Sequence, residues 1–198
     1  TGADTKRRQQ MRKRFQITEY CQNFMKDYIG EGDLCIDATA GNGGDTEFLC
    51  RMVGESGRVC AFDIQDAALE HTKERLEKSG LAERAVLIRD GHERMAYYVK
   101  EEVAAIMFNF GYLPGADHAV ATKAETSLAA IRCGMELLKV GGVMSLCIYS
   151  GGDTGYEERT ALLGFLKTLD PKRWLVLVHE FYNRKNDPPL PVFLVKLS

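Results

Sequence analysis

From Leu34 onward, short apolar runs alternate with longer amphipathic ones: LCIDA, a helical pattern over 44–53, RVCAFD, a helix over 66–79, AVLIRD, a helix near 92–100, and VAAIMFN. The short runs are rich in aliphatic and β-branched residues and lack the polar alternation of a sheet with one wet face, so they predict strands buried on both sides. Strictly alternating strands and helices predict a parallel sheet with helices on both faces. The second half continues with a helix over 123–138, the strand GGVMSLCIY, a helix over 154–169, and the strands RWLVLVHEFY and LPVFLVKL with no helix between them. Their connection, NRKNDPP, is turn chemistry that suits an antiparallel final pair.

Ahead of the sheet, Ile17, Cys21, Phe24, Met25 and Tyr28 recur at steps of three and four. That spacing predicts an amphipathic helix, closed by Gly30 and Gly32, packing across the start of the sheet. Residues 5–15, TKRRQQMRKRF, carry six basic residues. They read as part of a solvated or expression-derived tail over 1–15, or as an arm that touches phosphates. Residues 16–198 then form one domain, since no repeat, low-complexity stretch or second compositional unit interrupts them.

Composition narrows the setting. A chain of 198 residues with 45% hydrophobic residues can bury one substantial core. Its net charge of −2 and pI near 6.1 give no global field for a polyanion, so any nucleic-acid contact must come from a local patch. The six cysteines show no CxxC pair and no metal spacing, which predicts reduced core residues of a cytoplasmic protein and no metal site. No apolar run approaches the ~20 residues that cross a bilayer.

In open α/β sheets ligands bind at the carboxyl ends of the strands. The first such end reads Asp37-Ala38-Thr39-Ala40-Gly41-Asn42-Gly43-Gly44-Asp45-Thr46, a glycine-rich turn entering a helix. Gly41 and Gly43 let backbone N–H groups approach a ligand, and the helix offers its positive end. The dinucleotide fingerprint fails because Thr46 stands where its third glycine belongs, and no G-K-[ST] follows for a P-loop. Asp37 and Asp45 would repel phosphate and suit a zwitterionic or cationic ligand, such as S-adenosylmethionine with its ammonium and sulfonium. An ordinary strand-to-helix turn is the plain alternative.

The second end, Phe62-Asp63-Ile64-Gln65, places an acid about 20 residues past the glycines, where its carboxylate accepts both ribose hydroxyls and Ile64 packs on the base. At the third end, Arg89-Asp90-Gly91-His92, either Asp90 or His92 is placed to bond an adenine amino group, and His92 is equally well read as a helix cap. The fourth end, Asn109-Phe110-Gly111-Tyr112, faces the transferable carbon of a ligand held by the first two. It resembles the N-P-P-Y motif of amino-methyltransferases, in which amide and carbonyl acceptors aim an amine lone pair at a methyl carbon and an aromatic packs on the target base. The plain alternative is a strand end with a proline turn. An aliphatic amine must lose a proton before attack, and Asp117, His118, Tyr149 and Asp153 are candidates to take it.

Together DATAGNGGDTEFL, FDIQ, DGH, MFNFGYLPGADH and NRKNDPPLPVFLVK resemble one family over nearly the whole chain from about Gly32. It is the family labelled rRNA methylases and associated with tRNA 5-(aminomethyl)uridine methyltransferase, the MnmM or YtqB-like group. The resemblance implies a Rossmann-like class I methyltransferase fold with a seven-stranded, mostly parallel sheet and an antiparallel last strand. It also implies S-adenosylmethionine as donor, and an RNA substrate with tRNA preferred and rRNA possible, methylated at the aminomethyl nitrogen of a wobble uridine. A monomer or homodimer is expected. Many members carry a histidine in Y-x-G-H-x-G-G, where this chain reads Tyr149-Ser150-Gly151-Gly152-Asp153-Thr154-Gly155, so Gly152 cannot do proton chemistry. A nicotinamide-dependent oxidoreductase shares the Asp63 logic but not the third glycine. A non-catalytic RNA-binding module would have only the first fifteen residues for a basic surface.

Overall fold

The computed structural model describes residues 2–110, 124–150 and 155–198. In chain order these form α1 (Gly2–Arg14), α2 (Ile17–Met25), β1 (Leu34–Asp37), α3 (Gly44–Val53), β2 (Arg58–Asp63), α4 (Asp66–Lys78), β3 (Ala85–Arg89), α5 (Met95–Tyr98), β4 (Val103–Phe110), α6 (Ala124–Leu137), β5 (Leu138–Ile148), α7 (Gly155–Lys167), β6 (Trp174–Val178) and β7 (Leu190–Lys196). The strands form one sheet in the order β3-β2-β1-β4-β5-β7-β6. The pairs β1–β2, β1–β4, β2–β3 and β4–β5 are parallel, and β7 runs antiparallel to both β5 and β6.

The absence of polar alternation has a direct structural counterpart. Successive side chains of a strand point to opposite faces, and here both faces are covered. On β4, Ile106, Phe108 and Phe110 enter one core with Met95, Ile131, Leu162 and Leu166. Ala105 and Met107 enter the other with Cys21, Met25, Leu49 and Leu76. Helices α5 to α7 therefore cover one face and α2 to α4 the other.

Several boundaries differ from the sequence reading. The helix near 92–100 is a 3-10 turn over His92–Arg94 followed by the four residues of α5. β5 begins at Leu138, directly after α6, rather than at Gly141. RWLVLVHEFY stops as a strand at Val178 because His179 and Phe181 turn into an aromatic cluster with Tyr20 and Phe24 of α2. α2 lies over β5 and β7 and does not cap the sheet's start: Phe24 stacks on Phe193 at 3.7 Å between ring centroids. The basic segment is a helix, α1, that buries none of its residues.

All six cysteines are free thiols and five are buried. Among the described residues, no helix is long and apolar enough to cross a membrane, and no cluster of His, Cys, Asp or Glu could hold a metal ion.

Candidate active site

The register of the parallel strands sets the site. Asp37 pairs with Ala61 and Met107, so Asp63 and Asn109 each lie two residues further along their strands, at the same carboxyl edge. Between them the β1–α3 turn is bent by Gly41 and Gly43, at φ of 52° and 75°. Its hydrogen bonds run Ala40 N–H to Phe62 O, Gly43 N–H to Ala40 O and Glu47 N–H to Gly43 O. A Cβ on Gly43 would lie 2.8 Å from Thr72 Cα of α4, so this glycine is required by both its backbone angle and its neighbour. Gly43→Ala is expected to cost about 1 to 3 kcal/mol, read by chemical denaturation of the ligand-free protein.

Asp63 is aimed by two backbone donors: Gly41 N–H bonds Oδ2 at 3.0 Å and Gln65 N–H bonds Oδ1 at 3.0 Å. Each oxygen keeps acceptor capacity toward solvent. Beside it Ile64 is 56% exposed, a large apolar side chain standing in water next to a polar acceptor. Gln65 and Asn42, which follow Asp63 and Gly41, are exposed, and Asn42 O accepts the Arg75 Nε–H at 2.7 Å.

The acids of the first strand end divide their roles. Asp37 is fully enclosed, accepting from Thr46 Oγ1 at 2.6 Å and from Thr39 N–H at 3.1 Å. It fixes the loop from beneath, as does buried Thr46. Asp45, 9% exposed, accepts from Gln22 Nε2 at 2.8 Å and from Asn109 Nδ2 at 2.9 Å. Burial, then the neighbouring Asp45 charge, pushes the Asp37 carboxyl up to about 7. Burial raises Asp45 as well, against the two amide hydrogen bonds that favour its charged form.

Asn109 sits where these threads meet. Its backbone N–H bonds Thr39 Oγ1 at 2.9 Å, and its side-chain amide donates to the same oxygen at 3.4 Å and to Asp45. A carboxylate only accepts, so the NH2 group must face Asp45 and the amide oxygen points away. Among the described residues that oxygen accepts no hydrogen bond.

At the third end Asp90 accepts from Gly91 N–H at 2.8 Å and Tyr98 Oη at 2.6 Å, and the tyrosine bond first, then Gly91, holds its carboxyl below the ordinary value. His92 is neither a cap nor an exposed ligand group. It is buried, packs edge-on to Phe108 and Phe110 at 5.8 Å, and has its pKa lowered mainly by that burial while it bonds the Ala38 backbone. Burial raises the Tyr149 hydroxyl well above its ordinary value. Tyr112, Asp117, His118 and Asp153 lie outside the described residues. Gln22, Thr72 and Arg75 were not anticipated, because their roles depend on α2 and α4 crossing the turn.

The 3-2-1-4-5-7-6 sheet, with its strand-end acid and glycine turn at the carboxyl edge, is that of a class I S-adenosylmethionine-dependent methyltransferase. Within that class the chain belongs to the family described as "Putative rRNA methylase", whose model matches residues 59–195. It is 35% identical to the chloroplastic tRNA (mnm(5)s(2)U34)-methyltransferase of Arabidopsis thaliana, over 92% of this chain and 70% of that protein. Among solved structures it is similar to a "putative rRNA-methylase" from Clostridium thermocellum, with a TM-score of 0.86, 46% identity, and 88% and 94% of the two chains covered. A "putative methyltransferase" from Streptococcus mutans, solved in complex with SAH, gives a TM-score of 0.84 and 37% identity, covering 92% and 98%.

Proposed function

We propose that the protein N-methylates the 5-aminomethyl group of a tRNA wobble uridine. The observation that carries this reading is the Asn109 amide, whose donors are spent on Asp45 and Thr39, leaving a carbonyl oxygen at the reacting end. An oxygen acceptor so placed suits a nucleophile that itself carries N–H, and the curated Arabidopsis relative is named for such an aminomethyl target.

The residues fit the donor. Asp63, aimed by its two backbone donors, would accept the ribose hydroxyls, exposed Ile64 would pack on the adenine, and Asp90 and Gly91 would be the groups to meet its amino edge. Asp45 supplies negative charge near the amino-acid end, with the open N-terminus of α3 at Gly44 beside it. When bound, S-adenosylmethionine supplies an electrophilic methyl carbon. The chain's own contribution is alignment: Asn109 Oδ1 accepts one amine N–H so that the lone pair faces that carbon. Holding reacting atoms at about 3 to 3.5 Å in line is worth more in such a displacement than acid–base assistance. The amine's surplus proton needs an acceptor, for which Asp117, His118 and Asp153 are the candidates the sequence offers, since Gly152 carries no titratable group.

Mass spectrometry of tRNA nucleosides before and after incubation with enzyme and labelled donor tests the reading. Label in the 5-aminomethyl side chain of uridine is the expected result, and label absent from that side chain or carried by another tRNA nucleoside rejects it.

The raised pKa of Asp37 gives a pH signature. A cationic donor favours the ionised Asp37–Asp45 pair, so affinity for S-adenosylhomocysteine, which keeps the ammonium, is present above about pH 7 and falls as the pair takes up a proton below it. Calorimetry at pH 6 and pH 8 is expected to differ by up to about tenfold, one proton's linkage per pH unit below the pKa. Asp37→Asn flattens that profile. Stability of the ligand-free protein runs the other way: the unfolded carboxyl, near 3.8, ionises first, so this group's contribution declines as pH rises from 3.8 toward about 7.

A further inference from the structure

We infer that α1 and the β6–β7 connection together form the surface that holds the RNA substrate, α1 gripping phosphates and Tyr182 stacking on an unpaired base. The inference rests on the function proposed above and adds where the substrate is held.

Charge is the first observation. Six of the chain's 26 basic residues and one of its 28 acidic ones lie in α1, so the rest of the protein carries a net −7 and repels RNA. Every residue of α1 is exposed. Arg8 pairs with Asp4 and Lys13 with Glu19, whereas Lys6, Arg7, Arg12 and Arg14 meet no carboxylate among the described residues. Arg8 and Arg12 stand four apart, a like-charge spacing that destabilises an isolated helix. A 13-residue helix that buries nothing is marginal in water. Phosphates relieve both problems, because they neutralise the charge and give the helix a partner.

The second observation is position. The connection between β6 and β7 leaves the carboxyl edge at His179 and returns at Leu190, on the β4–β5 side of the sheet and away from Asp63. It is tied to that edge by Ser150 Oγ, which bonds Asp187 O at 3.4 Å. Ser150 follows Tyr149, whose N–H bonds Phe110 O next to Asn109. The same connection grips the end of α1: the Arg184 guanidinium lies 3.9 Å over the Phe181 ring and donates to Phe15 O, while Tyr20 packs against both Phe15 and Phe181. α2 then carries Gln22 to Asp45. The basic helix and the connection are thus joined to each other and to the reacting end through α2.

The third is Tyr182, 91% exposed among a run with Arg184 and Lys185. An aromatic side chain left in water beside cations is the arrangement on which single-stranded bases stack.

The test uses the full chain and tRNA purified from a strain lacking this methylation. The variants are Arg7→Gln/Arg8→Gln/Arg12→Gln/Lys13→Gln and, separately, Tyr182→Ala. All five side chains are exposed, so unchanged melting temperatures are expected. Removing four charges should lower the slope of log affinity against log salt by about 3 and raise KM for tRNA more than tenfold, with kcat and S-adenosylhomocysteine affinity unchanged. Tyr182→Ala should raise KM about tenfold. Parent values of salt slope and KM in both variants overturn the inference. So does an α1 variant that loses binding to anionic phospholipid vesicles yet binds tRNA as the parent does. If the parent binds tRNA through α1 but transfers no methyl group, the proposed function falls and this surface stands.

Discussion

Asn109→Ala is expected to slow methyl transfer about 100-fold while weakening S-adenosylhomocysteine binding less than tenfold, because a small misplacement of the attacking atom is expensive. The split follows from the side chain's two ends. Its NH2 group holds Asp45 and Thr39, and Asp45 keeps a second donor in Gln22 Nε2, so the donor side loses one of two supports. Among the described residues its oxygen has no substitute: the neighbouring acceptors are carboxylates already engaged, and the Thr39 hydroxyl serves the Asn109 backbone N–H. Asn109→Asp should be no better, since it sets a carboxylate against Asp45 where an amide now donates. Tyr112→Ala is expected to show the same pattern, on the base-packing role that the N-P-P-Y resemblance implies for that aromatic. The comparison needs single-turnover transfer to undermodified tRNA beside donor binding for each variant. Transfer by Asn109→Ala at the parent rate would leave the strand end a structural turn, and the nucleophile would have to approach from another side.

The sheet was legible because its evidence is local and repeated. Runs such as VAAIMFN carry no polar alternation, and that is the imprint of burial on both faces, seen in Ile106 and Met107 entering opposite cores. The glycines at 41 and 43 and the acid at 63 were legible because a positive φ and a strand-end carboxylate depend on chain position alone. What one side chain does with its neighbours was not. Asp37 and Asp45 look equivalent in DATAGNGGDT, yet one is sealed beneath the turn by Thr46 and the other is held at the rim by α2 and β4. His92 precedes a helical pattern as a cap would, but Phe108 and Phe110, from a strand sixteen residues on, draw it inward. Gln22 carries no signal of its own, since only the crossing of α2 over the sheet brings it to Asp45. The basic segment could not be assigned a structure from charge alone, because charge does not distinguish a helix from a solvated tail.

Asp63→Ala is expected to weaken donor binding by about 1.5 to 3 kcal/mol, since hydrogen bonds to a charged acceptor are the strong ones and two ribose hydroxyls are at stake. The structure adds a complication that the experiment must separate. Asp63 also accepts Gly41 N–H and Gln65 N–H, so its removal frees both sides of the donor opening and leaves a glycine at φ 52° without its anchor. Part of any affinity loss is then reorganisation of the turn rather than loss of ribose contacts. Deleting the partner group from the ligand isolates the second part. The parent should bind S-adenosylhomocysteine more tightly than its 2′-deoxy analogue by roughly 1 kcal/mol or more, the contribution of one charged hydrogen bond. Asp63→Ala should bind the two alike, whatever its absolute affinity, and Asp63→Asn should retain part of the preference through its remaining oxygen. A variant without the carboxylate that still discriminates the hydroxyl as the parent does would place the ribose elsewhere along the strand ends, with Asp63 reduced to a brace for the glycine turn.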